Sequence, residues 1–438
     1  MDYKTLLKKA RAQEGSWVQV QEGMQIFEGL ALPSHNPHTL VLKLKNGYDV
    51  GIPVKSTLKV KKISEGKKTG KPPLNKLPRN PSLPTIAILT TGGTLASRID
   101  YSSGAVSAAL TGAELIGMHP ELARYANYEC TLVRNMMSED MNFSDYQDIA
   151  RAIQKALNAG AKGVIVGHGT DTLHYTAAAL SFMLENLSAP VLLVGSQRSS
   201  DRGSSDAAIN LACAAAFIAQ TDFAGVGICM HESSADTACV ILPGTKSRKM
   251  HTSRRDAFKP INAAPLARVH YPEMRVEYLT KDYTRAFKEA RVRLREKFSQ
   301  KVGLLKCYTN FDYKLLEFFY KNKYKGLVLE GTGLGHAPVN TPENRKAWNA
   351  LAKLLKKGCI VAMASQCMYG RTHSHVYTNL ARLHDAGVVF AEDMVPETAY
   401  IKLAWLLGNY KAKEAKELFQ KNLRGEISAR TLAQENVE

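Results

Sequence analysis

The chain has 438 residues, a length suited to about three domains. Hydrophobic residues make up 45% and charged residues 22%, a globular balance that excludes wholesale disorder, collagen and coiled coil. Lys plus Arg number 58 against 40 Asp plus Glu, a net charge of +18.

Residues 1–13 read as a short amphipathic helix with Leu6 and Leu7 on one side. The period then changes to two. SWVQVQ (16–21) is a strand, and HTLVLKLKNGYDVGIPV (38–54) is two alternating strands around Asn46-Gly47, a strong hairpin signal. Residues 1–62 thus form a small β domain whose thin core is expected to lean on the rest of the chain. Residues 63–84, ISEGKKTGKPPLNKLPRNPSLP, form a basic linker rich in Pro and Gly. Its GKKTGKP stretch is no phosphate loop, because too few residues separate the glycines and Pro72 stands where Ser or Thr would hold magnesium. Residues 1–80 carry 15 Lys/Arg and 6 Asp/Glu, a net of +9, which is half the excess charge in under a fifth of the chain. Such a bias suits a polyanion such as RNA, or a merely solvated linker.

From Thr85 onward strands and helices alternate. TIAILT (85–90) is a buried strand followed by the tight loop TGGT. FSDYQDIARAIQKALNAG (143–160) is a helix with Ser144 and Gln147 as its capping box and Gly160 as its stop. GVIVG (163–167), a helix over 171–187, PVLLVGS (190–196), a helix around 205–220, GVGICM (225–230) and ACVIL (238–242) continue the series. After a polar, basic connector at 281–301, α/β resumes with VGLLKCY (302–308), GLVLEG (326–331), CIVAMAS (359–365) and VVFAE (388–392). Thr341-Pro342-Glu343 opens one of the intervening helices and Gly358 closes it. The expected fold is α/β: a doubly wound parallel sheet over 85–280 and a smaller α/β domain over 302–438.

No apolar run approaches the roughly 18 residues that span a bilayer, and the charged opening does not read as a signal peptide. Seven scattered cysteines without CxxC spacing read as reduced thiols in a cytoplasmic protein. His373-Ser374-His375 has no acid or cysteine cluster beside it and reads as a surface loop, so no metal is expected. His168 is placed to line a site loop, whereas Met136-Met137 reads as core.

Ligands of a parallel sheet bind beyond the carboxyl ends of its strands. Three such ends carry polar, Gly-rich loops: Thr90-Thr91-Gly92-Gly93-Thr94, Gly167-His168-Gly169-Thr170-Asp171-Thr172 and Gly195-Ser196-Gln197-Arg198. Two threonine-bearing loops on one rim suggest a hydroxyl nucleophile, though each loop alone is as well explained by a turn and a helix cap.

Together, TGGTLA and HGTDT resemble the asparaginase/glutaminase family of amidohydrolases, as do SEDMN (138–142), Lys249 in PGTKSRKMHTSRRDAFKP and EDMVPETAYIKLAWLL (392–407). The resemblance covers residues 85–405. It implies Thr91 as primary nucleophile, exposed on its turn, and Thr170, Asp171 and Lys249 as a second catalytic set in which lysine relays a proton. It implies that Ser138 binds the substrate α-carboxylate and Asp171 its α-ammonium. Gly92 and Gly169 shape the binding loops. Glu139 departs from the glutamine usual in the family, and Tyr101 is the local candidate for the catalytic tyrosine carried by the loop after TGGT.

The β domain and basic linker go beyond a stand-alone asparaginase. The whole arrangement resembles the D subunits of the archaeal glutamyl-tRNA(Gln) amidotransferases, with an SH3-like barrel before an asparaginase-like core. That likeness implies a protein that frees ammonia from glutamine or asparagine, has no cofactor of its own and pairs through its core as a dimer. It implies a partner, the E subunit (GatE), that binds tRNA(Gln) and supplies the ATP- and Mg-dependent step. The alternatives are a free-standing asparaginase with an added β domain, and a non-catalytic RNA-binding scaffold.

Overall fold

The computed structural model describes residues 1–34, 36–45, 48–65, 79–92, 97–99, 106–108, 120–198, 204–287 and 291–431. The Asn46-Gly47 turn, most of the linker and Tyr101 lie outside the described residues.

The first unit opens with helix α1 (Tyr3–Lys9), capped by Asp2, whose carboxylate accepts the Thr5 N–H at 2.6 Å. Five antiparallel strands follow: β1 (Ser16–Glu22), β2 (Gln25–Leu32), β3 (Thr39–Leu44), β4 (Asp49–Pro53) and β5 (Lys59–Glu65), in the order β4-β3-β2-β1-β5. The alternation of β1 and of the β3–β4 hairpin is legible in the sequence. β2 and β5 are not, because QIFEGLAL and KVKKISE do not alternate cleanly. Leu6, Leu7, Val18, Val20, Ala31, Leu40 and Leu42 form the core. Trp17, Leu30 and Lys43 are cross-strand neighbours on the opposite face. Leu30, Leu32 and Lys43 are nevertheless buried, so β2 and β3 are covered on both faces.

The second unit is built on an eight-stranded sheet. Its parallel part comprises β6 (Thr85–Thr90), β9 (Asn127–Leu132), β10 (Gly163–Gly167), β12 (Pro190–Val194) and β13 (Gly225–His231). The short β7 (Ser97–Ile99), β8 (Val106–Ala108) and β11 (Leu184–Glu185) lie outside it. Three strands extend one edge in antiparallel fashion: β14 (Ala238–Pro243), β17 (Ala267–His270) and β18 (Val276–Tyr278). The full order is β18-β17-β14-β13-β12-β10-β6-β9. The segment 232–237 between β13 and β14 is too short for the crossover that a parallel neighbour requires. A two-stranded ribbon, β15 (Ser247–Lys249) with β16 (Phe258–Pro260), projects between β14 and β17.

Helices α2 (Phe143–Asn158) and α3 (Leu173–Met183) cover one face, and α4 (Ala207–Gln220) covers the other. The cap of α2 differs from expectation. Asn142, not Ser144, is the N-cap, and its partner in the box is Asp145, not Gln147. Asn142 accepts the Ser144 N–H at 3.0 Å while Asp145 accepts the Asn142 N–H at 2.9 Å. Helix α3 is shorter at both ends than the expected 171–187, since Leu184 is already extended.

The connector contributes β19 (Arg293–Leu294), paired with β11. The third unit is a four-stranded parallel sheet, β20 (Val302–Lys306), β21 (Gly326–Gly331), β22 (Ile360–Ser365) and β23 (Val389–Phe390). Its helices are α5 (Lys314–Lys321), α6 (Arg345–Lys356), α7 (Thr378–Asp385), α8 (Pro396–Asn409) and α9 (Ala412–Phe419). Helix α6 begins beyond Thr341-Pro342-Glu343, which form the turn before it, and Gly358 closes it with φ +80°. Helix α8 packs on α3, with Phe182 stacked on Trp405 at 5.5 Å, so one apolar core runs through both α/β units. Among the described residues no helix is long and apolar enough to cross a membrane.

Candidate active site

The carboxyl ends of β6, β10 and β12 bring three loops to one rim. The Thr91 N–H donates to Gly167 O at 3.0 Å, and the His168 N–H donates to Val194 O at 2.9 Å. The threonine loop is also tied to the segment before Ser138, because the Met136 N–H donates to Thr91 O at 3.0 Å. Gly92 sits at φ +97° against this segment, where an added Cβ would lie 2.5 Å from Met136 O.

Thr170, Asp171 and Lys249 come together. The Lys249 ammonium donates to Thr170 Oγ1 at 2.8 Å and to Asp171 Oδ1 at 2.7 Å. The Lys249 side chain is 11% exposed and that of Asp171 66%, so the pair sits at the edge of the protein, half in water. Thr170 and Asp171 lie in the turn before α3, whose N-cap is Thr172.

Ser138 is buried at the start of a single helical turn, Ser138–Asp140. A Cβ on Gly169 would fall 2.8 Å from Ser138 Oγ, so the absence of a side chain lets the two loops meet. Thr172 Oγ1 donates to Ser138 O at 2.6 Å and stitches the same junction. Glu139 is exposed beside it. Gly195, on the third loop, abuts the Thr170 methyl group. Asp206 holds this loop by accepting the N–H groups of Gln197 and Arg198 and the Ser196 hydroxyl.

Thr91 differs from expectation. It is fully buried, and its hydroxyl donates to Gly167 O at 3.0 Å instead of standing exposed. The backbone stitching of β6 to β10 continues one residue past the strand and draws it in. His168 is likewise buried behind the loop. Its Nδ1 lies 2.7 Å from Gly169 O and so donates, which leaves Nε2 to accept the Thr176 hydroxyl at 2.8 Å. Burial pushes its pKa down to about 4, so it is neutral. Met137 is 38% exposed and is not a core residue. His373 and His375 are exposed, and the His375 ring packs 4.7 Å from His384. Among the described residues no group of three or more His, Cys, Asp or Glu is arranged to hold a metal ion.

Two features of the surroundings escaped the sequence. Arg248, beside Lys249, bonds Glu397 Oε1 at 2.9 Å across the interface with the third unit. Tyr48, next to the β3–β4 turn, bonds Ser204 Oγ at 2.7 Å and accepts from Arg198 at 3.2 Å, so the small β unit touches the third rim loop. Neither contact has a local sequence signal, since each joins residues well over a hundred positions apart.

Family models match three segments: "Asparaginase, N-terminal" over residues 85–283, "Glutaminase/Asparaginase C-terminal domain" over 301–419, and "GatD N-terminal domain" over 12–63. The D subunit of the glutamyl-tRNA(Gln) amidotransferase from Thermococcus kodakarensis is 47% identical over 410 residues, 92% of this chain and 91% of that protein. Its counterpart from Pyrococcus furiosus is 44% identical over 442 residues, 98% of each. Among solved structures, the thermostable L-asparaginase from Thermococcus kodakarensis superposes with a TM-score of 0.69 at 28% identity, covering 79% of this chain and 99% of that one. L-asparaginase I from Vibrio cholerae gives 0.68, also at 28% identity, covering 79% of this chain and all of that one.

Proposed function

The chain belongs to the family of glutamyl-tRNA(Gln) amidotransferase D subunits, and from that premise we propose that it releases ammonia from glutamine by threonine catalysis for use on Glu-tRNA(Gln). The observation that carries this reading is the Lys249 ammonium set between Thr170 Oγ1 and Asp171 Oδ1, on a fold shared with L-asparaginases.

In this mechanism Thr91 Oγ1 attacks the side-chain amide carbon. Its proton passes to the polar groups of the site, the tetrahedral intermediate collapses, the C–N bond breaks and the nitrogen leaves protonated as ammonia. Water then attacks the resulting ester, activated through Thr170 and Lys249, and frees glutamate and Thr91. To attack, the Thr91 hydroxyl must turn from Gly167 O. Ser138 holds the substrate α-carboxylate and Asp171 its α-ammonium, with Glu139, Gly92 and Gly169 shaping the pocket. A second protein, the E subunit, holds tRNA(Gln) and carries the ATP- and Mg-dependent activation, and the asparaginase-like core pairs as a dimer.

Thr91→Ala should abolish glutamine-dependent amide formation by the whole enzyme while free ammonium still supports it. Equal loss of both reactions would remove Thr91 from amide hydrolysis. The likeness to stand-alone asparaginases over 79% of the chain favours a second reading, a free-standing asparaginase. The matched segment 12–63 weighs against it. Purification from the native cell separates the two: a stoichiometric larger partner supports the first and a lone homo-oligomer the second.

A further inference from the structure

Lys249 sits on a ribbon that cannot hold itself. Strands β15 and β16 have three residues each and, among the described residues, pair only with one another. An isolated two-stranded ribbon is marginal in water. The third unit supplies support through the stretch 392–398 at the start of α8, together with Met368, Gly370, Arg424 and Ser428, of which Gly370 exchanges two hydrogen bonds with Asn262 and Ser428 accepts from Lys246 at 2.6 Å. Thr398 Oγ1 donates to Thr245 O at 2.8 Å. The buried Lys246 ammonium pairs with the buried Asp393 carboxylate. Asn262, just past β16, donates to Asp393 O at 3.1 Å. Arg248 bonds Glu397 at 2.9 Å and also reaches Met368 Sδ at 2.8 Å.

The strand geometry makes the Arg248–Glu397 bond specific. Successive residues of a strand point to opposite faces. Arg248 therefore turns into the interface while Lys249 turns toward Thr170 and Asp171, and a pull on one moves the other. Glu397 also faces the other half of the relay. Its carboxylate lies 4.0 Å from His174 on α3, the helix that follows Thr170-Asp171 directly.

This arrangement is not explained by stability. Glu397 Oε2 and His174 Nδ1 are buried and have no hydrogen-bond partner among the described residues. A buried, half-satisfied ionic group costs free energy that an apolar contact would not.

We propose that stretch 392–398 is a clamp by which the third unit sets the position of Lys249, with Arg248 and Glu397 as positioning residues. The clamp rests on the relay reading of Lys249. Its test is steady-state glutamine hydrolysis by the full-length chain. Arg248→Met and Glu397→Gln should each lower kcat by roughly tenfold or more with KM within about twofold, the pattern of a lost transition-state interaction. Arg248→Lys should recover part of the loss, and Thr398→Val, which leaves the charges alone, should lower kcat in the same sense. In a Lys249→Ala background none of these changes should matter further. A disabled Lys249→Ala with losses that multiply, or losses that fall on KM, would overturn the clamp alone. A fully active Lys249→Ala would overturn the relay reading and the clamp with it.

Discussion

At the scale of single residues, the site holds one cation shared by two acceptors, the Lys249 ammonium between Thr170 and Asp171. Lys249→Ala and Asp171→Ala should each reduce glutamine hydrolysis by more than about 100-fold, the usual scale for a general-base element. With the proton path proposed above shared by both residues, the double variant should lose little more than either single one. Initial rates of the three variants decide this, and multiplying losses would show separate roles. The buried histidines carry a different expectation. Burial lowers the pKa of His168 to about 4 and that of His174 to about 3. Below the ordinary value of 6.5 the unfolded chain takes up protons that the native chain refuses, so stability falls as pH drops from 6.5 toward 4. The loss is on the order of 3 kcal/mol for each histidine. Urea midpoints at pH 6.5 and 4.5 should show it, and His174→Gln should flatten the difference.

At the scale of elements, the rim is built from loops that meet only because side chains are absent. A Cβ on Gly169 would lie 2.8 Å from both Cβ and Oγ of Ser138, with no flexible end to yield. Gly169→Ala should therefore push Ser138 out of place and raise KM for glutamine by roughly tenfold, about 1.4 kcal/mol of lost binding. It should lower kcat less than Lys249→Ala does. An unchanged KM would detach Ser138 from the substrate carboxylate. The helices around the rim were partly legible. The period of α2 is plain in its sequence, but Asn142 took the cap from Ser144 because Asp145 stood at the right spacing to answer it. Helix α3 starts only after Asp171, so Thr170 and Asp171 belong to a turn and not to the helix.

At the scale of the whole molecule, the basic N-terminal unit touches the third rim loop through Tyr48. Lys55, Lys59 and Lys61 are exposed on it. Replacing these three with Gln should leave glutamine hydrolysis intact and weaken tRNA-dependent amide formation. The salt dependence of tRNA binding should become shallower, by about one unit of slope for each phosphate no longer held. Identical salt dependence before and after would show that the charge is only solvated. The stretch Lys55–Arg79 has no aromatic residue to stack on bases, so any RNA contact there is with the backbone.

Local pattern was enough for much of this. The alternation of apolar strands with helices from Thr85 onward announces an α/β sheet, because burial on two faces demands uniformly apolar strands and short polar loops between. The TGGT and HGTDT loops fall at strand ends for the same reason, whereas the antiparallel edge formed by β14, β17 and β18 was not read from the pattern, which pointed to a parallel series throughout. What the pattern does not carry is distance. Lys249 meets Thr170 across 79 residues, and Arg248 reaches Glu397 from another unit. Thr91 looks like an exposed turn residue until β6 and β10 are paired and its hydroxyl finds Gly167 O. Periodicity records which face of an element is apolar, whereas the partner of each polar group is chosen when the elements close on one another. The reaction type could thus be read along the chain, and the contacts that hold Lys249 and its strand in place were decided by tertiary packing.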